Sequence, residues 1–102
     1  MSPDYYDRQG NAISIEEWIR GFEDRGKKRV AKTKIGDSEV STVWLGLDRA
    51  WGDGPPLIFE TLVFDGPLDM EMDRYSTEEQ ALKGHEEMCA RVRASLTEEE
   101  EG

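Results

Sequence analysis

The chain has 102 residues, which is the size of one domain, and a formal net charge of −10. A hydrophobic fraction of 36% supplies one modest core, and the negative charge disfavours nucleic acid and anionic membranes as partners. The lone cysteine excludes an internal disulfide, and no apolar run approaches the roughly 18 residues of a membrane span. The sequence therefore predicts a cytoplasmic protein without a membrane partner.

The first third of the chain predicts a hairpin followed by a helix. Gly10-Asn11 is a turn dipeptide between two short apolar stretches. Ser14 and Glu17 have the spacing of a capping box, and apolar residues then recur on one helical face as far as Phe22. Gly26 is expected to end this helix.

Four strands are predicted next, over residues 29–35, 39–47, 57–64 and 70–75. The second and third strands carry apolar residues on both alternating faces, which is typical of central strands. Helices are expected to cover one face of this sheet. A partner subunit, the N-terminal hairpin or a long loop is expected to cover the other.

A last helix is predicted to begin at Ser76-Thr77, and its apolar positions continue to Val92. Residues 96–102 are mostly glutamate and are expected to form an acidic, flexible tail behind a domain of residues 1–95. The predicted fold class is α+β, in the order ββ-α-ββββ-α. It is an antiparallel sheet of about four to six strands with two helices packed on one face.

The loop between the two central strands is the first candidate binding site. It takes about nine residues, 48–56, where a hairpin needs two to five. Trp51 offers a ring for stacking, Arg49 can hold a carboxylate or phosphate, and Asp48 and Asp53 add charge. The alternative is structural: Trp51 folds back as a lid over the sheet, and Arg49 pairs with Asp53.

Two further features are charged. Glu60 lies inside an apolar strand, so it is either a functional carboxylate or half of an ion pair with Arg49 or a lysine of the neighbouring strand. Residues 25–34, the basic segment, contain six cations and no acid. Lys27, Lys28 and Arg29 are its candidate contacts to phosphate, and pairing with carboxylates of this domain or of another subunit is the alternative.

His85 and Cys89 lie four residues apart on the apolar side of the last helix. This spacing suits a thiolate–imidazole pair or half a zinc site, but a zinc site needs about four ligands and the chain has no other histidine or cysteine. Both residues are therefore expected to pack in the core. No phosphate-binding loop, dinucleotide fingerprint or other catalytic motif is present, so no cofactor, metal or catalytic residue is predicted.

Residues 40–48 (VSTVWLGLD), 54–61 (GPPLIFET) and 74–77 (RYST) with 84–86 (GHE) resemble an uncharacterised group of small proteins. These proteins occur in tailed phages, including actinobacterial ones, and in prophages. The likeness covers residues 38–94 and implies a phage origin, in the cytoplasm of an infected host cell, without implying a mechanism. Many members carry histidine at the position of Arg49, which argues against an essential role for this arginine.

The sequence thus favours a small phage accessory protein that binds a host or phage protein without catalysis, as a homodimer. A binder of a nucleotide or another phosphorylated small ligand is the first alternative, and an acidic DNA mimic is the second. An enzyme that uses Glu60, Asp48 or Asp53 as acid or base ranks last.

Overall fold

The computed structural model describes residues 5–48 and 54–101, with side chains as far as residue 97. These residues form α1 (Ile15–Glu23), α2 (Arg25–Lys28), β1 (Arg29–Ile35), β2 (Ser38–Trp44), β3 (Phe59–Phe64), β4 (Met72–Tyr75) and α3 (Glu78–Glu101). The α+β class and the antiparallel sheet are confirmed. Within these ranges, no helix combines the length and the hydrophobicity of a membrane span.

The sheet is a simple meander in the order β1-β2-β3-β4, with every neighbouring pair antiparallel. Gly36 adopts a positive φ of 60° in the two-residue turn between β1 and β2, a conformation that glycine takes without strain. A β-bulge interrupts the pairing between Arg29 and Ala31. Strands β2 and β3 are the central pair, as predicted.

The N-terminal hairpin adds no strands to this sheet, so the described residues contain four strands, the lower end of the predicted four to six. Residues 5–12 form two isolated bridges, Tyr5 with Leu47 and Tyr6 with Ala12. The carboxylate of Asp7 accepts hydrogen bonds from the backbone N–H groups of Gln9 and Asn11 and tightens the turn. This local bonding favours a compact turn over a longer ladder.

Helix α1 begins as predicted, since the Ser14 hydroxyl accepts a hydrogen bond from the N–H of Glu17. Its predicted end at Gly26 is wrong. The helix ends at Glu23, and the Asp24 carboxylate accepts hydrogen bonds from the N–H groups of Gly26 and Lys27. Asp24 thereby caps a separate single-turn helix, α2, inside the basic segment.

The core lies between one face of the sheet and α3. One cluster contains Val40, Val63, Met88, Cys89 and Val92, and a second contains Trp44, Ile58, Phe59 and Ala81. Helix α3 crosses the face of the sheet, and α1 reaches the second cluster through the side chains of Trp18 and Phe22. Most of the helical cover on this face is therefore one helix.

Residues 96–101, where the sequence predicts an acidic tail, have helical backbone. Helix α3 continues to Glu101 without a break. Leu96 packs against the first core cluster, one turn after Val92. An apolar contact of this kind holds another helical turn in place, which a reading of charge alone misses.

Gly84 allows α3 to approach the sheet closely at Tyr75. A Cβ atom at this position would overlap the ring and the hydroxyl of Tyr75. Gly84→Ala is therefore expected to lower the free energy of unfolding by about 1–3 kcal/mol, although alanine favours a helix by about 1 kcal/mol. Urea denaturation measures the change.

A Tyr75→Ala background provides the control, because it removes the ring that the new methyl group would strike. In that background Gly84→Ala should be neutral or stabilising, as helix propensity then dominates. Equal destabilisation in both backgrounds would contradict this contact.

Candidate functional site

The face of the sheet opposite α3, called the open face, carries the side chains that alternate with the buried ones. Cross-strand pairing places these residues in three rows. They are Arg29, Val43, Glu60 and Arg74; Lys32, Ser41, Leu62 and Met72; and Lys34, Glu39 and Phe64. In the described ranges, α2 borders this face and no helix covers it.

Positive charge is concentrated along one side of the open face. All three residues that β1 contributes to the rows are cations, and two residues of α2 add to them. A depression of about 500 Å³ lies between these cations and the central strands. It is lined by Arg25, Lys28, Arg29, Lys32, Glu39, Ser41, Val43 and Phe64. On a chain with net charge −10, such a patch attracts anionic groups locally.

Several of these charges are held by specific contacts. The Lys32 ammonium lies 3.4 Å from the Glu39 carboxylate on β2. The Lys28 ammonium lies 3.8 Å from the centroid of the Phe22 ring, which fixes it at the margin of the depression. These contacts orient the cations, and both ammonium groups keep donors for a further anion because each has three N–H bonds.

Glu60 is paired, but not with the predicted partners. Arg74 on β4 donates from Nε to the Glu60 carboxylate at 3.1 Å, and both side chains are partly buried. The two residues are cross-strand neighbours, so the register of β3 and β4 fixes this pair. The interpretation of Glu60 as one half of a structural ion pair agrees with this geometry.

Apolar side chains occupy the middle of the open face and its far side. Phe64 is 40% exposed and Met72 is 43% exposed. Leu62 and Val43, on the two central strands, are half-buried. Their positions on a face that no described helix covers explain why β2 and β3 looked apolar on both sides. Ile58 is the exception: it is buried with Phe59, because regular β3 alternation begins only at Phe59.

The other predicted site residues are dispersed. Arg49, Trp51 and Asp53 lie outside the described residues. The Asp48 carboxylate accepts a hydrogen bond from the Leu57 N–H and so links the two ends of the loop. Among the three candidate residues of the basic segment, Lys28 and Arg29 line the depression of the open face, whereas Lys27 lines a different cavity.

That second cavity, of about 260 Å³, lies between the N-terminal turn, α1 and Trp44. Arg8 is its main cation, and it donates to the Glu78 carboxylate at 2.7 Å and to the Lys27 carbonyl at 3.0 Å. These bonds engage two of the three guanidinium nitrogens, and the acids Asp7 and Glu17 also line the cavity. The cavity is therefore a weaker anion site than the open face.

His85 and Cys89 lie in the core, as predicted. His85 is 2% exposed, and its two ring nitrogens each meet a threonine hydroxyl: Nε2 lies 2.9 Å from Thr33 and Nδ1 lies 2.7 Å from Thr42. Thr42 is also hydrogen-bonded to Thr61 on β3. Among the described residues, no three histidine, cysteine, aspartate or glutamate side chains come close enough to hold a metal ion.

Three residues of the open face were not predicted as site residues from the sequence: Phe64, Met72 and Arg74. Strand alternation could have identified them, because each residue follows the two-residue period that places its side chain on the face opposite the core. No family model, curated protein or solved structure matches the chain. The resemblance to phage proteins thus stays a prediction.

Because His85 is buried, the free energy of unfolding is expected to fall in mild acid. Burial lowers the pKa of its imidazole below the ordinary 6.5, and the nearby Glu86 carboxylate opposes this shift only in part. The unfolded chain then binds more protons, so stability is full above pH 6.5 and falls as pH drops from 6.5 to the lower pKa of the folded state. Urea denaturation between pH 7.5 and 5 should show this decline.

His85→Gln is the control, because it removes the titrating group and should flatten this part of the pH profile. A second measurement does not depend on a variant. His85 is the single histidine of the chain, so its imidazole resonances in tag-free protein report its pKa directly. A folded-state pKa at or above 6.5 would contradict the expected decline.

Proposed function

We propose that this chain is a non-catalytic module that binds another protein through the open face of its sheet. The proposal rests on two features of a face that no described helix covers. Cations line β1 (Arg29, Lys32 and Lys34, called the basic row), and apolar side chains are exposed beside them. The partner surface would be acidic opposite β1 and apolar opposite β3 and β4.

Charge favours an acidic partner. The chain has 23 acidic and 13 basic residues, yet the depression is lined by four cations and one carboxylate. A local patch of this sign speeds the encounter with an acidic surface and repels a basic one. The acidic remainder of the molecule also restricts the orientation in which such a partner approaches.

The apolar residues supply the second half of a binding surface. An antiparallel sheet tolerates a solvated face when that face is polar. Here Phe64 and Met72 are each about two-fifths exposed, next to Leu62. Protein interfaces have apolar centres with a polar, charged rim, and this pattern is present along β3 with β1 as the rim.

A second copy is a poor occupant of this face. Stacking two open faces about a two-fold axis places β1 of one copy over either β1 or β4 of the other. The cations Lys32 and Lys34 would then meet the same cations or the side of the sheet that holds Arg74. The homodimer expected from the sequence remains a prediction for another surface, and the open face is assigned to a different protein.

The resemblance to proteins of tailed phages and prophages suggests that this partner is a host or phage protein. Nothing in the open face favours catalysis over binding. Glu60 is committed to Arg74, and His85 and Cys89 are enclosed in the core.

Capture from lysates of infected and uninfected actinobacteria tests the proposal with two matched double variants. Phe64→Ser/Lys28→Glu alters the open face. Ile19→Ser/Lys83→Glu makes the same types of change on α1 and α3, where Ile19 is 42% exposed. A protein that binds wild type and the helix variant, but is lost with the open-face variant, supports the proposal.

Binding that persists in both double variants would show that recognition occurs elsewhere. Circular dichroism and urea denaturation of both variants ensure that a lost partner reflects the surface and not the fold. High salt should weaken the specific capture, because the basic row is solvent-exposed.

The depression itself favours a second candidate function, the binding of a phosphorylated small ligand. Arg25, Lys28, Arg29 and Lys32 could hold a phosphate group, with the Ser41 hydroxyl as a further donor. A thermal-shift screen with nucleotides and sugar phosphates at millimolar concentration tests this candidate. A shift that Lys28→Glu and Arg29→Glu abolish supports it, and unchanged melting with every compound contradicts it.

A further inference from the structure

Strand β1 is the longer of the two edges of the sheet. It has seven residues, Arg29–Ile35, and pairs on one side with β2. The opposite edge, β4, has four residues. A long edge strand can pair with an added strand, whereas a short one offers few bonds.

The outer side of β1 has backbone N–H and C=O groups that bond to no described residue. In the described part of the chain, no hydrogen bond other than those to β2 reaches the backbone of residues 30–35. Alternate residues of an edge strand direct their N–H and C=O groups away from the sheet. These groups are the ones that a fifth strand would use, as in recognition by strand addition.

The two faces of β1 differ in chemistry. Arg29, Lys32 and Lys34 lie on the open face, and all three are exposed. Val30 and Ile35 lie on the other face, where each packs half-buried against a core cluster. An added strand that complements both faces has acidic residues at alternate positions and apolar residues between them.

The same cations oppose pairing between two copies of β1. An antiparallel pair of β1 strands would place lysines of one copy opposite lysines or an arginine of the other. Lysine on an edge strand is a known protection against such self-association. Because these cations repel a second copy of β1 and attract carboxylates, they also make the edge selective for an anionic strand.

We propose that β1 binds an extended segment of the partner as a fifth strand, and that this segment alternates acidic and apolar residues. The proposal rests on the proposed protein-binding function and specifies its mode. Main-chain hydrogen bonds to β1 provide the pairing, and Lys32 and Lys34, which follow the bulge, select the acidic side chains.

The probe is a synthetic peptide of about nine residues that alternates glutamate and valine. A peptide of the same composition, with the glutamates and valines in two separate blocks, controls for charge. NMR spectra of the labelled chain should show slower amide exchange within residues 30–35 when the alternating peptide binds. The block peptide should give no such protection.

Two peptides with N-methyl groups distinguish strand pairing from charge attraction. One carries the methyl groups on the valine nitrogens and the other on the glutamate nitrogens. A strand paired to β1 turns only one of these two sets towards it, so one methylated peptide should bind and the other should not. Equal affinity of the two overturns strand addition.

Protein variants test the role of the cations. Lys32→Glu/Lys34→Glu should weaken binding of the alternating peptide about tenfold, since two attractive cross-strand pairs become repulsive. Lys27→Glu/Lys83→Glu changes the net charge equally but lies outside β1, and it should leave binding nearly unchanged. Equal losses in both variants would overturn recognition by β1.

Comparison of lysate capture with binding of the alternating peptide separates this inference from the proposed function. Loss of lysate capture in Phe64→Ser/Lys28→Glu, with no binding of the alternating peptide, supports docking on the open face and overturns strand addition. Light scattering during the titration identifies a further outcome: a complex with the mass of two chains would show that the peptide promotes self-association, contrary to the proposal.

Discussion

The packing of one long helix on one face of a four-stranded sheet determines everything else in this fold. His85 fixes that packing, because its two ring nitrogens bind hydroxyls on β1 and β2, and Thr42 extends the chain of hydrogen bonds to β3. A polar network inside an otherwise apolar layer specifies one position of the helix over the strands. With α3 committed to one face, the other is a face that no described helix covers.

The sequence was a good guide to elements whose signals are local. The bounds of β1 were predicted to the residue, and Ser14 starts α1 through the expected capping bond. The central pairing of β2 with β3 followed from two apolar runs separated by turn residues. Local signals were insufficient where a neighbouring carboxylate intervened, as at Asp24, which starts a new helical turn.

The site was less predictable, because its residues are brought together by register. Glu60 and Arg74 are fourteen positions apart and meet only because β3 and β4 pair with one particular alignment. The basic segment looked like one patch in the sequence, but its side chains are divided where the chain passes through α2 into β1. Lys28 and Arg29 line the open face and Lys27 lines another cavity, a division that no count of charge could reveal.

The β-bulge near the start of β1 limits how much of that edge has regular geometry. Between the bulge and the turn at Gly36, the uninterrupted ladder runs from Ala31 to Ile35. Such a stretch is about 17 Å long. In the proposed strand addition, the partner segment would pair along this stretch from the hairpin end and diverge at the bulge, where the twist of the strand increases. An edge of this length can pair with a short linear motif of about five residues.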